Sequence, residues 1–153
     1  MAVWKELLDN RVLLTAAVGW FLAQFLKTML FLIINREWNW ERMWGAGGMP
    51  SSHSATVCAC ATSIGMTSGF ESAIFALACV FAFIVMYDAA NVRKETGEQA
   101  KILNYMMEHW GQFKPELFAQ ELKELIGHTP IQVLAGILIG IANALLIYFV
   151  VYR

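Results

Sequence analysis

Four apolar runs, at roughly residues 12–35, 54–68, 70–87 and 130–152, constrain this chain more than any other feature. The first and last are long enough to cross about 30 Å of hydrocarbon as helices. A segment in lipid has to satisfy its own backbone N–H and C=O groups, which a helix does without leaving an edge. Composition points the same way, since 58% of the 153 residues are hydrophobic and 15% charged, more apolar surface than one small soluble core hides. The expected fold class is all-α: a polytopic membrane bundle of about four spans, forming one domain over residues 1–153 with no linker or internal repeat.

The runs differ in character. The first carries Gln24 and Lys27 and exceeds the short apolar core of a signal peptide, so it reads as a span. The second is rich in Ala, Ser, Thr, Cys and Gly, which suits a helix surrounded by other helices, and Gly69 turns the chain after it. The last holds Gly136, Gly140 and Ala144 at helical spacing, a packing stripe for the second span or for a second copy in a homo-oligomer. Between the third and fourth runs, Ile102, Leu103, Met106, Met107 and Trp110, then Leu117, Phe118, Leu122, Leu125 and Ile126, predict two interfacial amphipathic helices broken at Gly111 to Pro115. Trp38, Trp40 and Trp44 suit the headgroup level. His109, beside Trp110, reads as interfacial too. Cys58, Cys60 and Cys79 lie in apolar runs and read as packing residues. A net charge of −1 with no basic concentration excludes a nucleic-acid partner.

Polar chemistry collects at one place. The octapeptide Gly47-Gly48-Met49-Pro50-Ser51-Ser52-His53-Ser54 joins glycines that admit close backbone approach to a helix N-terminus, which attracts anions. In a four-span bundle the end of span one, the start of two, the end of three and the start of four share one side. That side holds Lys27, Arg36, Ser51, Ser52, His53, Asp88, Arg93 and His128. Each has a structural reading beside the functional one. Lys27 either snorkels or joins Gln24 in an inward polar stripe; His53 and His128 stand at helix mouths, where capping competes with chemistry; Ser51 and Ser52 serve as caps, and Arg93 with Lys94 as positive flank. Two histidines at two helix mouths on one face favour function.

A lysine near the end of one span, Pro-Ser-Ser-His opening the next, an arginine after a third and a histidine entering the last resemble the integral-membrane type 2 phosphatidic acid phosphatases, relatives of the vanadium-dependent haloperoxidases. The wording Gly-Gly-Met-Pro-Ser-Ser-His-Ser-Ala, Tyr-Asp-Ala-Ala-Asn-Val-Arg and Gly-His-Thr-Pro resembles their small divergent branch across nearly the whole chain. The resemblance implies a phosphomonoesterase without metal or other cofactor. His128 would attack phosphorus, His53 would protonate the leaving oxygen, and Lys27 and Arg93 would hold the phosphate, with N–H donors from Ser51 and Ser52. Family members usually carry an aspartate four residues after the nucleophile, and here Gln132 stands there. Gln132 can fix the imidazole tautomer without stabilising its charge; Asp88 either supplies the missing carboxylate or pairs with Arg93.

The expected activity is hydrolysis of a lipid phosphate, a polyprenyl phosphate or diphosphate or a glycerolipid phosphate, at the bilayer rim. The alternatives are a non-catalytic lipid-phosphate binder or flippase, and a structural subunit. Eight basic residues on the motif side, against Lys5, Arg11 and Arg153 opposite, predict a multi-pass protein of the inner (cytoplasmic) membrane with its site facing the cytoplasm.

Overall fold

The computed structural model describes residues 2–38, 40–45, 47–110, 122 and 127–151, and every regular element among them is helical. A short α1 (Ala2–Leu8) precedes α2 (Arg11–Asn35), which begins where the Asn10 side chain accepts the Leu13 N–H at 3.0 Å. It ends where Arg36 turns left-handed, at φ 56°, and returns its N–H to Leu32. After α3 (Glu41–Trp44) comes the glycine loop, then α4 (Ser52–Ser68), capped by Ser51, and α5 (Ala73–Tyr87), capped by Ser72. A π-helical turn, Asp88–Val92, leads into α6 (Arg93–Trp110). The last helix, α7 (Pro130–Val150), opens with Pro130 in its first turn and a capping box between Thr129 and Gln132.

The helix that decides the architecture is α4. It packs against α2, α5 and α7, and its 17 residues rise about 25 Å. Because protein rather than lipid surrounds much of it, its interior positions are small: Ser54, Ala55, Cys58, Ala59, Ala61 and Ser63 are all buried. Lipid tails are as apolar as any side chain, so helices in a membrane associate through close van der Waals contact, which small residues permit. On α7 a Cβ at Gly136 would collide with the Ser51 carbonyl, and one at Gly140 with the Ala55 carbonyl. The Gly136, Gly140, Ala144 stripe is thus buried inside the bundle, with both glycines packed against α4. Buried Asn143, on the same helix, donates to the Thr15 carbonyl of α2 at 3.0 Å.

By length and composition, α2, the Ala73–His109 run and α7 can cross a membrane. Their outer faces require it: on α5, Ile74, Leu77, Val80, Phe81, Phe83 and Ile84 are exposed, and Ala82 alone is buried. A contiguous apolar surface of that kind is a lipid contact. The expected count of about four spans comes to three such helices with the shorter α4 enclosed among them.

One boundary differs from expectation. The helix of span three does not stop at Tyr87 but continues through the π-turn into α6, because no proline or glycine interrupts it before Gly97. The amphipathic pattern is present on α6, with Ile102, Leu103 and Met106 exposed. The second expected interfacial helix, from Leu117 to Ile126, and the break at Gly111 to Pro115 lie outside the described residues, Leu122 excepted. There the Asn104 side chain accepts the Leu122 N–H at 3.0 Å and donates to its carbonyl at 2.9 Å.

Candidate active site

Two imidazoles form the centre. His53 sits in the first turn of α4 and His128 in the segment entering α7; their ring centroids are 5.7 Å apart in an edge-to-face arrangement. His128 is 2% exposed and pinned at two levels. Its backbone N–H donates to the Ala89 carbonyl in the π-turn at 2.9 Å, and its Nδ1 lies 3.2 Å from Gln132 Oε1.

That second contact fixes the tautomer. Gln132 Oε1 also accepts the Thr129 N–H at 3.1 Å, the capping-box bond that orients the amide with its oxygen toward His128. Facing an acceptor, Nδ1 carries the proton, which leaves the lone pair on Nε2. His128 Nε2 and His53 Nδ1 are both buried with no hydrogen-bond partner among the described residues. Burial pushes the His128 imidazole below the ordinary histidine value of 6.5, and Lys27 and Arg93 push it the same way, against the Gln132 hydrogen bond and a smaller opposing pull from the Gly48 backbone. The free base is therefore favoured at neutral pH.

The cations come from two other elements. Lys27 is 3% exposed, which places it on the inward stripe and not among snorkelling residues. Its Nζ donates to Gln24 Oε1 at 2.7 Å, and the Gly45 carbonyl lies 3.5 Å away. The glycine loop folds over its stem: Gly48 lies against the Lys27 methylenes at φ +84°, a left-handed conformation that favours glycine. Arg93 is held by the π-turn. An i to i+5 ladder brings residues five apart onto one side, so Arg93 Nε donates to Asp88 Oδ2 at 3.0 Å. Lys27, Arg93 and Asp88 all lie within electrostatic reach of His53.

The arrangement gathers Lys27, Ser51, Ser52, His53, Asp88, Arg93, His128 and Gln132 at one end of the bundle, whereas Arg36 caps α2 and is exposed. Two roles differ from expectation. The Ser51 N–H is taken by the Gln132 carbonyl at 3.0 Å, and its Oγ caps α4, so Ser51 joins α4 to α7 and offers no N–H to a ligand. The orphan N–H groups of this helix mouth are those of Ser52 and His53. Of its two alternatives Asp88 takes the pairing with Arg93; the group that reaches His128 is Gln132. The π-turn and the Ala89 carbonyl that holds His128 left no signal in the sequence beyond the missing helix stop.

Comparison with known proteins places this geometry in a family. The sequence profile described as the divergent PAP2 family matches residues 8–143. An uncharacterized membrane protein of Bacillus subtilis (strain 168), YuiD, is 37% identical over 154 residues, covering 94% of this chain and 98% of the relative. No solved structure matches.

Proposed function

Since the chain belongs to the divergent PAP2 family and is a membrane protein, we propose that it hydrolyses the phosphate ester of a lipid with His128 as nucleophile. The observation that carries this reading is the Nδ1–Gln132 contact, which leaves a buried, unpartnered Nε2 beside His53.

The chemistry follows from the residues. His128 Nε2 attacks phosphorus and forms a P–N bond as the P–O bond to the lipid alcohol breaks. His53 supplies the proton that the leaving oxygen takes up. Water then attacks the phosphorus with His53 as base, the P–N bond breaks, and phosphate departs. Lys27 and Arg93 stabilise the charge on the equatorial oxygens, and the Ser52 and His53 N–H groups add the dipole of the α4 mouth. A bound phosphate brings negative charge that offsets the two cations and favours imidazolium at His53, where the acid is needed. The cations take the place that a divalent metal holds in other phosphatases, so the proposed reaction is metal-independent.

The substrate is amphiphilic in this reading, a polyprenyl phosphate or diphosphate or a glycerolipid phosphate, because the site lies at one end of helices whose outer faces require lipid. The second reading, a lipid-phosphate binder or flippase without turnover, is favoured by Gln132, which cannot compensate an imidazolium at His128 as a carboxylate does. Phosphate release by purified protein in chelator, across a panel of lipid phosphates, separates the two. Turnover of at least one lipid phosphate supports the hydrolase; headgroup-dependent binding with no release supports the binder.

A further inference from the structure

On α4, His53, Val57, Cys60 and Ile64 are spaced i, i+4, i+7 and i+11, a single stripe along one face. The last three line a cavity of about 300 Å³ between α4 and α5, closed on the other side by Ile74, Ala78 and Phe81, which are themselves one stripe of α5. Apart from the Cys60 thiol no lining side chain is polar. Phe81 and Ile74 are exposed, so the slot opens sideways onto the surface that lipid covers. It begins about one turn below His53, some 6 Å along the axis, and continues for roughly another 10 Å.

We propose that this α4–α5 groove holds one hydrocarbon chain of the phosphorylated amphiphile while its phosphate sits between His53, His128, Lys27 and Arg93, an assignment that rests on the phosphatase reading of that site. The arrangement pairs a cationic end with an apolar slot on one helix stripe, and a molecule with an anionic head and an apolar tail matches both at once. Entry is lateral, from the bilayer, with the head sliding to the α4 mouth. The groove adds little hydrophobic free energy, because the tail leaves lipid and not water; what it contributes is alignment of the ester oxygen with His53.

The test compares farnesyl phosphate with p-nitrophenyl phosphate, which has no tail, in wild type and in Ala78→Trp. The expected result is a fall in kcat/KM of roughly 10- to 100-fold for farnesyl phosphate with p-nitrophenyl phosphate turned over as before. Equal turnover of farnesyl phosphate by the two proteins overturns the proposal. A second measurement covers the case in which Ala78→Trp loses both activities: maleimide labelling of Cys60 in a Cys58→Ala, Cys79→Ala protein should be slowed by farnesyl phosphate and not by inorganic phosphate. Cys60 labelled at one rate with and without farnesyl phosphate overturns it, as does protection that follows protein concentration, which marks a second copy as the occupant. Cys60 protection without turnover of either substrate would leave the groove standing and remove the phosphatase reading; turnover without protection does the reverse.

Discussion

At His128 the account makes its narrowest commitments. Its replacement by alanine should abolish turnover, because it removes the nitrogen that bonds to phosphorus, while His53→Ala should slow lipid substrates by about 10²–10⁴-fold and spare activated aryl phosphates, whose leaving groups need little protonation. Steady-state kinetics on both substrate types checks the split. Gln132→Asp should raise the rate, since it puts a carboxylate in place of the amide oxygen that lies 3.2 Å from Nδ1 and so stabilises the imidazolium that forms as Nε2 bonds to phosphorus; a slower Gln132→Asp enzyme would mean that the glutamine oxygen does all this site requires. The pH dependence has a definite sign. With the folded value pushed below 6.5 and the unfolded value at 6.5, the unfolded chain takes up the proton first. The stability that His128 contributes is thus complete above 6.5 and is lost as pH falls through the folded value, and the nucleophile is lost over the same range. Unfolding and rate profiles below pH 6.5 measure both. The placement of His53 and His128 at helix mouths, and of Gln132 within reach of His128, was legible because short-range motifs specify it. The role of Ser51 was not, because its N–H is claimed by a carbonyl some eighty positions away in sequence, and only packing decides that.

The elements carry a different kind of claim. Gly136→Ala should destabilise the bundle by about 1–3 kcal/mol, since its methyl would press on the Ser51 carbonyl at the α4–α7 crossing, and should also lower activity by shifting α4's mouth against His128. Reversible unfolding in detergent gives the first quantity. At the π-turn, Asp88→Ala removes an ion pair whose side chains are 38% and 45% exposed, so its effect on stability should stay under about 1 kcal/mol. The larger expected change is in KM, because Arg93 loses the partner that aims it. Helix existence could be read from the apolar runs and the starts of α4 and α7 from Ser51 and Thr129 as caps, whereas the caps Asn10 and Ser72 emerge with the structure. The continuation of α5 into α6 could not be read: polarity changes at Asp88, which reads as a span end, but a change of surroundings does not stop a helix that has no proline or glycine at that junction.

For the whole molecule, the positive-inside rule predicts a site on the cytoplasmic side. By sequence alone, eight basic residues are expected on the motif side against three opposite, so an Arg42→Cys protein lacking Cys58, Cys60 and Cys79 should resist impermeant thiol reagents in intact cells and react after lysis. Reaction from outside would reverse the orientation and leave the chemistry untouched. Convergence of four span ends on one side was legible because successive spans return the chain to alternate sides; what the sequence withheld was depth, since nothing in a motif says that Lys27 lies inside while Arg36 lies out. Chelators should leave turnover unchanged and vanadate should inhibit it by occupying the five-coordinate phosphoryl position, which phosphate-release assays check. The central claim is covalent. Quenching turnover of an isotope-labelled lipid phosphate in denaturant at alkaline pH, and mapping the label by mass spectrometry, should find a phosphoryl group on His128 that is lost on acidification and absent from His128→Ala; phosphate released with no phosphoryl on the protein, or with one on any other residue, would contradict the account.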